Sequence, residues 1–91
     1  MRNFAIEEKL KKILAKLYKK DKLKYEIIQK KIREILTISD VEHYKNLKAP
    51  LQEFKRVHID TNFVLIFKYN KSDDKVMFYD FDHHDNIYEK R

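Results

Sequence analysis

Apolar positions in the first third of the chain recur at steps of three and four residues, with lysines between them. This period is that of an amphipathic helix, and it predicts helices over about residues 7–19 and 23–36. The apolar positions are Leu10, Ile13, Leu14 and Leu17 in the first helix, and Leu23, Ile27, Ile28, Ile32, Ile35 and Leu36 in the second. Because the polar connection between them is short, the two helices are expected to form an antiparallel hairpin.

In the second half of the chain the period changes to two, which is typical of a strand with one apolar and one polar face. Residues 51–60 are predicted to form this strand, with Arg56 and His58 pointing the same way from its polar side. Phe54 lies on the polar parity and does not fit the alternation. The segment 37–50 before the strand has no clear period and is predicted to be a loop.

Two further strands and a helical turn are predicted after this one. The run Phe63–Phe67 is apolar at every position, which indicates a central strand covered on both faces. A polar turn over 70–74 separates it from a third strand over 76–81, so the three strands would form an antiparallel meander. Residues 83–88 would close the chain as one turn of helix.

These elements predict one α+β domain over residues 1–91, in which the helical hairpin packs on a three- or four-stranded antiparallel sheet. A short first strand around Phe4 and Ile6 would supply the fourth strand. A chain of 91 residues suffices for a single modest hydrophobic core, which excludes a second domain.

The composition narrows the chemistry, because the chain contains no cysteine and no glycine. Without thiols there is no disulfide framework, thiolate zinc site or cysteine nucleophile. Without glycine there is neither a dinucleotide-binding motif nor a phosphate-cradling loop. The longest apolar run is too short to span a bilayer and no signal segment opens the chain, so we expect a cytoplasmic protein with no membrane contact.

The net charge of +6 is concentrated at one end of the chain. Residues 1–36 contain 12 Lys and Arg against 5 Asp and Glu, whereas residues 37–91 contain 9 against 10. A basic surface of this kind favours a polyanion or an acidic protein as partner. The alternative is a solvated lysine-rich surface, a composition that is also common in thermophiles.

Four histidines, all after residue 42, are the first candidates for proton transfer, because the pKa of histidine lies closest to neutral pH. They are His43 in the loop, His58 on the polar side of a strand, and His83 and His84 after the last strand. Each of them alone could be an ordinary surface histidine. Their combination with Arg56 favours a site.

A metal site is the competing interpretation of the last strand, where carboxylates and imidazoles are dense. The potential ligands are Asp80, Asp82, His83, His84 and Asp85, with His58 and Asp60 on a neighbouring strand. Adjacent histidines on a strand point to opposite faces, so the spacing does not favour a shared ion. We therefore predict no metal.

Four stretches of the chain resemble the YafQ-type mRNA interferase branch of the RelE/ParE toxin superfamily, as does the order of hairpin and meander. These stretches are His43–Lys48, Phe54–Ile59, Phe63–Phe67 and Asp82–Tyr88. The resemblance implies the RelE-like microbial RNase fold and a toxin of a type II toxin-antitoxin system. Such a toxin enters the ribosomal 30S A site and cleaves mRNA through attack by the 2′-hydroxyl, with no metal or cofactor. An acidic RelB-like antitoxin would bind and inhibit it in the cytoplasm.

The resemblance also implies site residues. His43, His58 and His84 match the catalytic histidines of that branch, and Arg56 matches the strand arginine of the superfamily. The RNA contacts that the resemblance implies are Lys48, Lys55 and Tyr88. His58 and His84 are the expected acid–base pair, and which of them is the acid is left open.

The match has departures, and two other interpretations remain. Asn62 stands where the branch often has an aspartate, and Val64 where many relatives have a second arginine. A ParE-like toxin of the same fold would poison gyrase without catalysis. A plain RNA- or protein-binding domain would use the histidines only as surface residues.

Overall fold

The computed structural model describes the backbone of residues 1–89 and the side chains of residues 1–87. The elements in chain order are β1 (Asn3–Ile6), α1 (Glu8–Lys20), α2 (Lys22–Thr37), a 3-10 turn (Val41–His43), β2 (Lys55–His58), β3 (Phe63–Asn70), β4 (Lys75–His83) and α3 (His84–Glu89). The short first strand, both long helices and the closing helical turn are therefore confirmed.

The described strands form one sheet in the order β1-β4-β3-β2. Strands β2, β3 and β4 make the predicted antiparallel meander. Strand β1 pairs in parallel with β4, so the sheet is mixed, whereas the sequence predicted an antiparallel sheet. A parallel pair needs a long connection between its strands, and the helical hairpin together with β2 and β3 supplies it.

The helical hairpin turns at Asp21, the single residue between α1 and α2. The Asp21 carboxylate accepts a hydrogen bond from the backbone N–H of Lys24 at 3.1 Å, which caps the second helix. Leu10 in α1 and Ile28 and Ile35 in α2 are fully buried. Most of the apolar stripe predicted from the helical period thus covers the sheet, whereas Leu23 and Ile27, which were predicted to belong to it, are exposed.

The sheet has two unlike faces. We call the face under the hairpin the inner face, where Leu65 and Phe67 join the helices in one large core. The opposite, outer face has a smaller apolar cluster to which Val64 and Ile66 contribute. All four residues Val64–Phe67 are buried, which confirms that this strand is covered on both faces.

The segment before β2 differs from its prediction. The strand expected over 51–60 is limited to Lys55–His58, because residues 51–54 turn instead of extending. In this turn the N–H of Phe54 donates to the carbonyl of Leu51 at 3.0 Å. The turn places the Phe54 side chain in the outer cluster, which explains why it did not fit the alternation.

None of the described helices is both long and apolar enough to cross a lipid bilayer.

Candidate active site

The polar side of β2 lies on the outer face of the sheet. Arg56 pairs with Ile66 and His58 with Val64 on the neighbouring strand, and both partners belong to the outer cluster. Cross-strand partners share a face, so Arg56 and His58 point the same way, as the period of two predicts. They open onto a concavity of about 190 Å³. Its lining residues are Leu47, Arg56, His58, Val64, His84 and Ile87.

His84 reaches the same concavity from the first position of α3. Its backbone N–H donates to the carbonyl of Asn62 at 2.9 Å, which ties the start of the helix to the turn between β2 and β3. Its ring Nδ1 lies 3.3 Å from the same carbonyl, and its Nε2 lies 3.2 Å from a carboxylate oxygen of Asp85. Both ring nitrogens therefore lie beside oxygen acceptors, which hold the ring in one orientation.

The Arg56 guanidinium adds positive charge to the concavity. No carboxylate among the described side chains forms an ion pair with it, and it is only partly buried. A guanidinium with free donors can hold a phosphate through two parallel hydrogen bonds. The concavity thus combines one anion-binding group with two imidazoles that could move protons.

The wall opposite His84 comes from the loop that precedes β2. Leu47 lines the concavity, and its N–H donates to the carbonyl of Phe54 at 2.9 Å. Lys48 follows Leu47 in the chain as an exposed residue, and its carbonyl accepts from the N–H of Leu51 at 2.9 Å. Lys48 remains a candidate RNA contact.

His43 does not line the concavity. It ends the 3-10 turn, its ring packs on Tyr44 with centroids 4.0 Å apart, and its Nδ1 lies 2.6 Å from the carbonyl of Asp40. The Tyr44 ring belongs to the inner core, and its hydroxyl donates to Glu34, which lowers the pKa of that carboxyl. The structure therefore groups His43 with α2 rather than with His58 and His84.

Lys55 also lies away from the concavity, and its surroundings do not favour the RNA contact that was predicted for it. It pairs with Phe67, so it points to the inner face, opposite to Arg56. Only 6% of the residue is exposed, and its Nζ donates to the carbonyl of Tyr44 and to the side chain of Asn46, each at 3.0 Å. A buried ammonium engaged in this way does not reach a bound nucleic acid.

Tyr88 and Asp60 are the next two candidate residues from the sequence. Tyr88 lies in α3, and its side chain lies outside the described residues. Asp60 serves the turn between β2 and β3, where it accepts hydrogen bonds from the N–H groups of Asn62 at 2.9 Å and Phe63 at 3.1 Å. The hydrogen bond from Asn62 is the main cause that lowers the pKa of Asp60.

The end of β4 offers metal-ligand atoms. Donor atoms of His83, His84 and Asp85 lie within 4.8 Å of one another. The expectation that adjacent histidines diverge is wrong here, because the strand ends at His83 and the helix begins at His84, which leaves the ring centroids 4.9 Å apart. The donor set is the kind that binds zinc or another divalent transition metal, although exposed groups of this kind are also common without one.

Several residues of the site were missed in the sequence. Leu47 lies in a loop without periodicity, so no pattern marked it. Ile87 lies three residues after His84, which puts both on one face of α3, and this spacing was a usable signal. Asn62 acts through its backbone carbonyl, which any residue type could supply.

The chain was compared with known proteins. No protein-family model matches it. The Methanocaldococcus jannaschii protein named "Putative toxin RelE4" is 52% identical over 91 residues, which are 100% of this chain and 95% of that protein. An uncharacterized protein of Methanosarcina mazei is 47% identical over 83 residues, covering 91% of this chain and 94% of that protein.

Solved structures share the fold. A metal-bound toxin from Helicobacter pylori superposes with a TM-score of 0.75 at 20% identity, covering 96% of this chain and 99% of that chain. YafQ from E. coli superposes with a TM-score of 0.65 at 16% identity, covering 97% and 99%. These solved structures confirm the RelE-like fold that the sequence resemblance implied. Because the M. jannaschii relative is 52% identical over the full chain, this protein belongs to the RelE family of toxins.

Proposed function

We propose that this RelE-family toxin is an endoribonuclease that cleaves mRNA on the ribosome at the concavity of the outer face. The observation that carries the proposal is the convergence of Arg56 and His58 from β2 with His84 from α3 on one concavity. Two imidazoles for proton transfer, beside a guanidinium that no described carboxylate pairs with, suit phosphodiester cleavage.

The reaction would proceed by attack of the ribose 2′-hydroxyl on the adjacent phosphorus. A base accepts the hydroxyl proton as the new O–P bond forms. The bond from phosphorus to the 5′-oxygen of the next nucleotide breaks, and an acid protonates that oxygen. The products are a 2′,3′-cyclic phosphate and a 5′-hydroxyl. Arg56 would stabilise the additional negative charge on the phosphate oxygens during attack.

The surroundings of the two histidines support different roles. The Asn62 carbonyl and the Asp85 carboxylate lie beside the two ring nitrogens of His84 and hold its ring in one orientation, and we assign it the role of the acid. His58 is exposed, and no described carboxylate lies within ion-pair distance of its ring, which leaves it suited to accept a proton as the base.

The remaining partners follow from family membership. RelE-like toxins pair with antitoxins. An acidic RelB-like antitoxin would complement the basic helical hairpin, because residues 1–36 contain 12 Lys and Arg but only 5 Asp and Glu. The same basic surface would dock on ribosomal RNA when the antitoxin is absent. Lys48 and Tyr88 are proposed RNA contacts beside the concavity. The cytoplasm, where ribosomes and antitoxin meet, is the proposed location.

No metal takes part in this mechanism, yet His84 belongs to the possible metal-ligand set, and the similar H. pylori toxin is described as metal-bound. Activity measured with and without EDTA decides the matter. Under the proposal the chelator leaves the cleavage rate unchanged or raises it, because an ion bound to His84 would occupy a ring nitrogen and prevent it from binding the proton that it donates. Loss of cleavage on adding EDTA, restored by a divalent ion, would show that a metal is required.

The test of the proposed function is purified protein added to a translating extract, with mRNA ends mapped by primer extension. We expect new ends with the wild type and a loss of at least about a hundredfold in cleavage rate for His58→Ala and His84→Ala. The folded state of each variant is checked by thermal unfolding. Intact transcripts with folded wild type, or undiminished cutting by both variants, would contradict the proposal. Growth arrest without mRNA cleavage would favour a ParE-like toxin instead.

A further inference from the structure

Lys55 is a buried cation on the side of β2 opposite to the concavity. Its ammonium donates to the Tyr44 carbonyl and the Asn46 side-chain oxygen, each at 3.0 Å. Neither acceptor is a carboxylate, so the charge is buried without an ion-pair partner among these contacts. Burying a charge is costly unless it is fully hydrogen-bonded, and an apolar side chain of equal length would fill the same space at a lower cost. Packing alone therefore does not explain a lysine at this position.

The contacts of Lys55 extend into the loop that precedes β2. Asn46, which accepts from the ammonium, donates through its side-chain nitrogen to the carbonyl of Gln52 at 2.8 Å. The Leu47 N–H bonds the Phe54 carbonyl, so the two arms of the loop are joined twice. We call residues 44–54 the wall loop, since it supplies the wall of the concavity.

The wall loop is also tied to the strand that carries the candidate catalytic groups. The N–H of Arg56 donates to the carbonyl of Lys45 at 2.9 Å, and Asn46 forms a bridge with Lys55. Arg56 thus points its guanidinium into the concavity, while the neighbouring Lys55 holds the wall loop beside the concavity. The distance between Arg56 and the wall depends on these bonds.

We propose that Lys55 is a positioning residue, which fixes the wall loop so that Leu47 and Lys48 stand beside Arg56. It acts through Asn46 and the backbone of the loop, without contact to RNA. The consequence for cleavage rests on the proposed function, whereas the consequence for the loop does not. The two consequences are therefore measured separately.

The first experiment measures amide hydrogen exchange in the free protein by NMR. In Lys55→Met the exchange of the Leu47 and Arg56 amides is expected to accelerate at least about tenfold, while that of Leu65 in β3 stays unchanged. The matched control is Lys45→Met, which removes an exposed lysine from the same loop. Unchanged exchange at Leu47 would overturn the proposal, whatever the protein does to RNA.

A second variant covers the case in which Lys55→Met does not fold. Asn46→Ala removes the acceptor and the link to Gln52 while leaving the lysine in place. It should accelerate exchange of the Leu47 amide in the same way. Wild-type exchange in Asn46→Ala would contradict the proposed route from Lys55 through Asn46.

The second experiment is a double-mutant cycle on the cleavage rate, with Lys55→Met and Lys48→Met alone and together. If Lys55 acts by placing Lys48, each single variant slows cleavage and the double variant is little slower than Lys48→Met. Effects that multiply would mean that Lys55 acts independently of Lys48, and would overturn the proposed route. If the wild type cleaves nothing, the proposed function fails, and the exchange data alone then decide the role of Lys55.

Discussion

The two faces of the sheet are built for different tasks. The inner face is sealed by α1 and α2 and contains the largest fully buried side chains, Phe67 and Phe78 among them. The outer face has a smaller apolar cluster of five buried residues among the described side chains, to which the strands, the wall loop and α3 contribute. This face also has the concavity with Arg56 and two histidines at its edge.

The comparison shows how a small chain separates stability from chemistry. Polar groups that need access to RNA cannot lie in a sealed core, because burial without partners is costly. Placing them on the opposite face of the same strands uses the rigidity of the core without weakening it. Substitutions on the inner face should therefore reduce stability, and those at the concavity should reduce activity.

The largest expected effect is on the inner face. Phe67→Ala would open a cavity in the main core and should lower the free energy of unfolding by about 3–5 kcal/mol, measured by urea denaturation. The matched outer-face change, His58→Ala, should alter it by no more than about 0.5 kcal/mol. Equal losses from both substitutions would contradict the division between the faces.

The next largest effect is on Arg56. Arg56→Met keeps the length of the side chain and removes the guanidinium, so cleavage should slow by about a hundredfold with little change in stability. Arg56→Lys should restore only part of the rate, because an ammonium cannot make two parallel hydrogen bonds to phosphate. The cleavage rate is measured by single-turnover kinetics. A wild-type rate for Arg56→Met would show that Arg56 is not part of the active site.

A smaller effect distinguishes the histidines that the sequence grouped together. His43 packs on Tyr44 outside the concavity, so His43→Ala should change the cleavage rate by less than about threefold, unlike His84→Ala. The assay is the same single-turnover reaction. A loss for His43→Ala as large as that for His84→Ala would show that the RNA-bound site extends to the 3-10 turn.

The smallest expected effect concerns stability at low pH. The pKa of Asp60 is lowered in the folded state, chiefly by the N–H of Asn62, so its ionised form stabilises the fold above its ordinary pKa of about 3.9. This contribution is lost as the pH falls through the lowered value. Asp60→Asn should flatten the fall in unfolding free energy below about pH 4, whereas the exposed Glu26→Gln should not. An unchanged pH dependence in Asp60→Asn would contradict the role of the turn.

Much of the fold could be predicted because its helices and its central strand have local patterns of apolar residues. The hairpin follows from the helical period of residues such as Leu10 and Ile28, and the buried strand from the unbroken run Phe63–Phe67. The parallel pairing of β1 could not be predicted, since its partner β4 is about seventy residues away and four residues carry no directional signal. The period of two did place Arg56 and His58 together, because both lie on one short strand.

The placement of the other candidate residues depends on contacts that no local period predicts. Lys55 shares its parity with Val57, and this signal for an inward side chain was outweighed by its charge. His84 turns toward the concavity only because the strand ends one residue earlier. His43 matched the family by position, yet the loop geometry that directs it toward Tyr44 is absent from any local pattern.

The central claim is that the outer-face concavity cleaves RNA through its 2′-hydroxyl. The most direct measurement uses an mRNA that carries a single 2′-O-methyl group at the mapped cleavage position, read by the wild-type protein in the translating extract. We predict that cutting at that position disappears while cutting at unmodified positions continues. Undiminished cutting next to the methylated ribose would contradict the account.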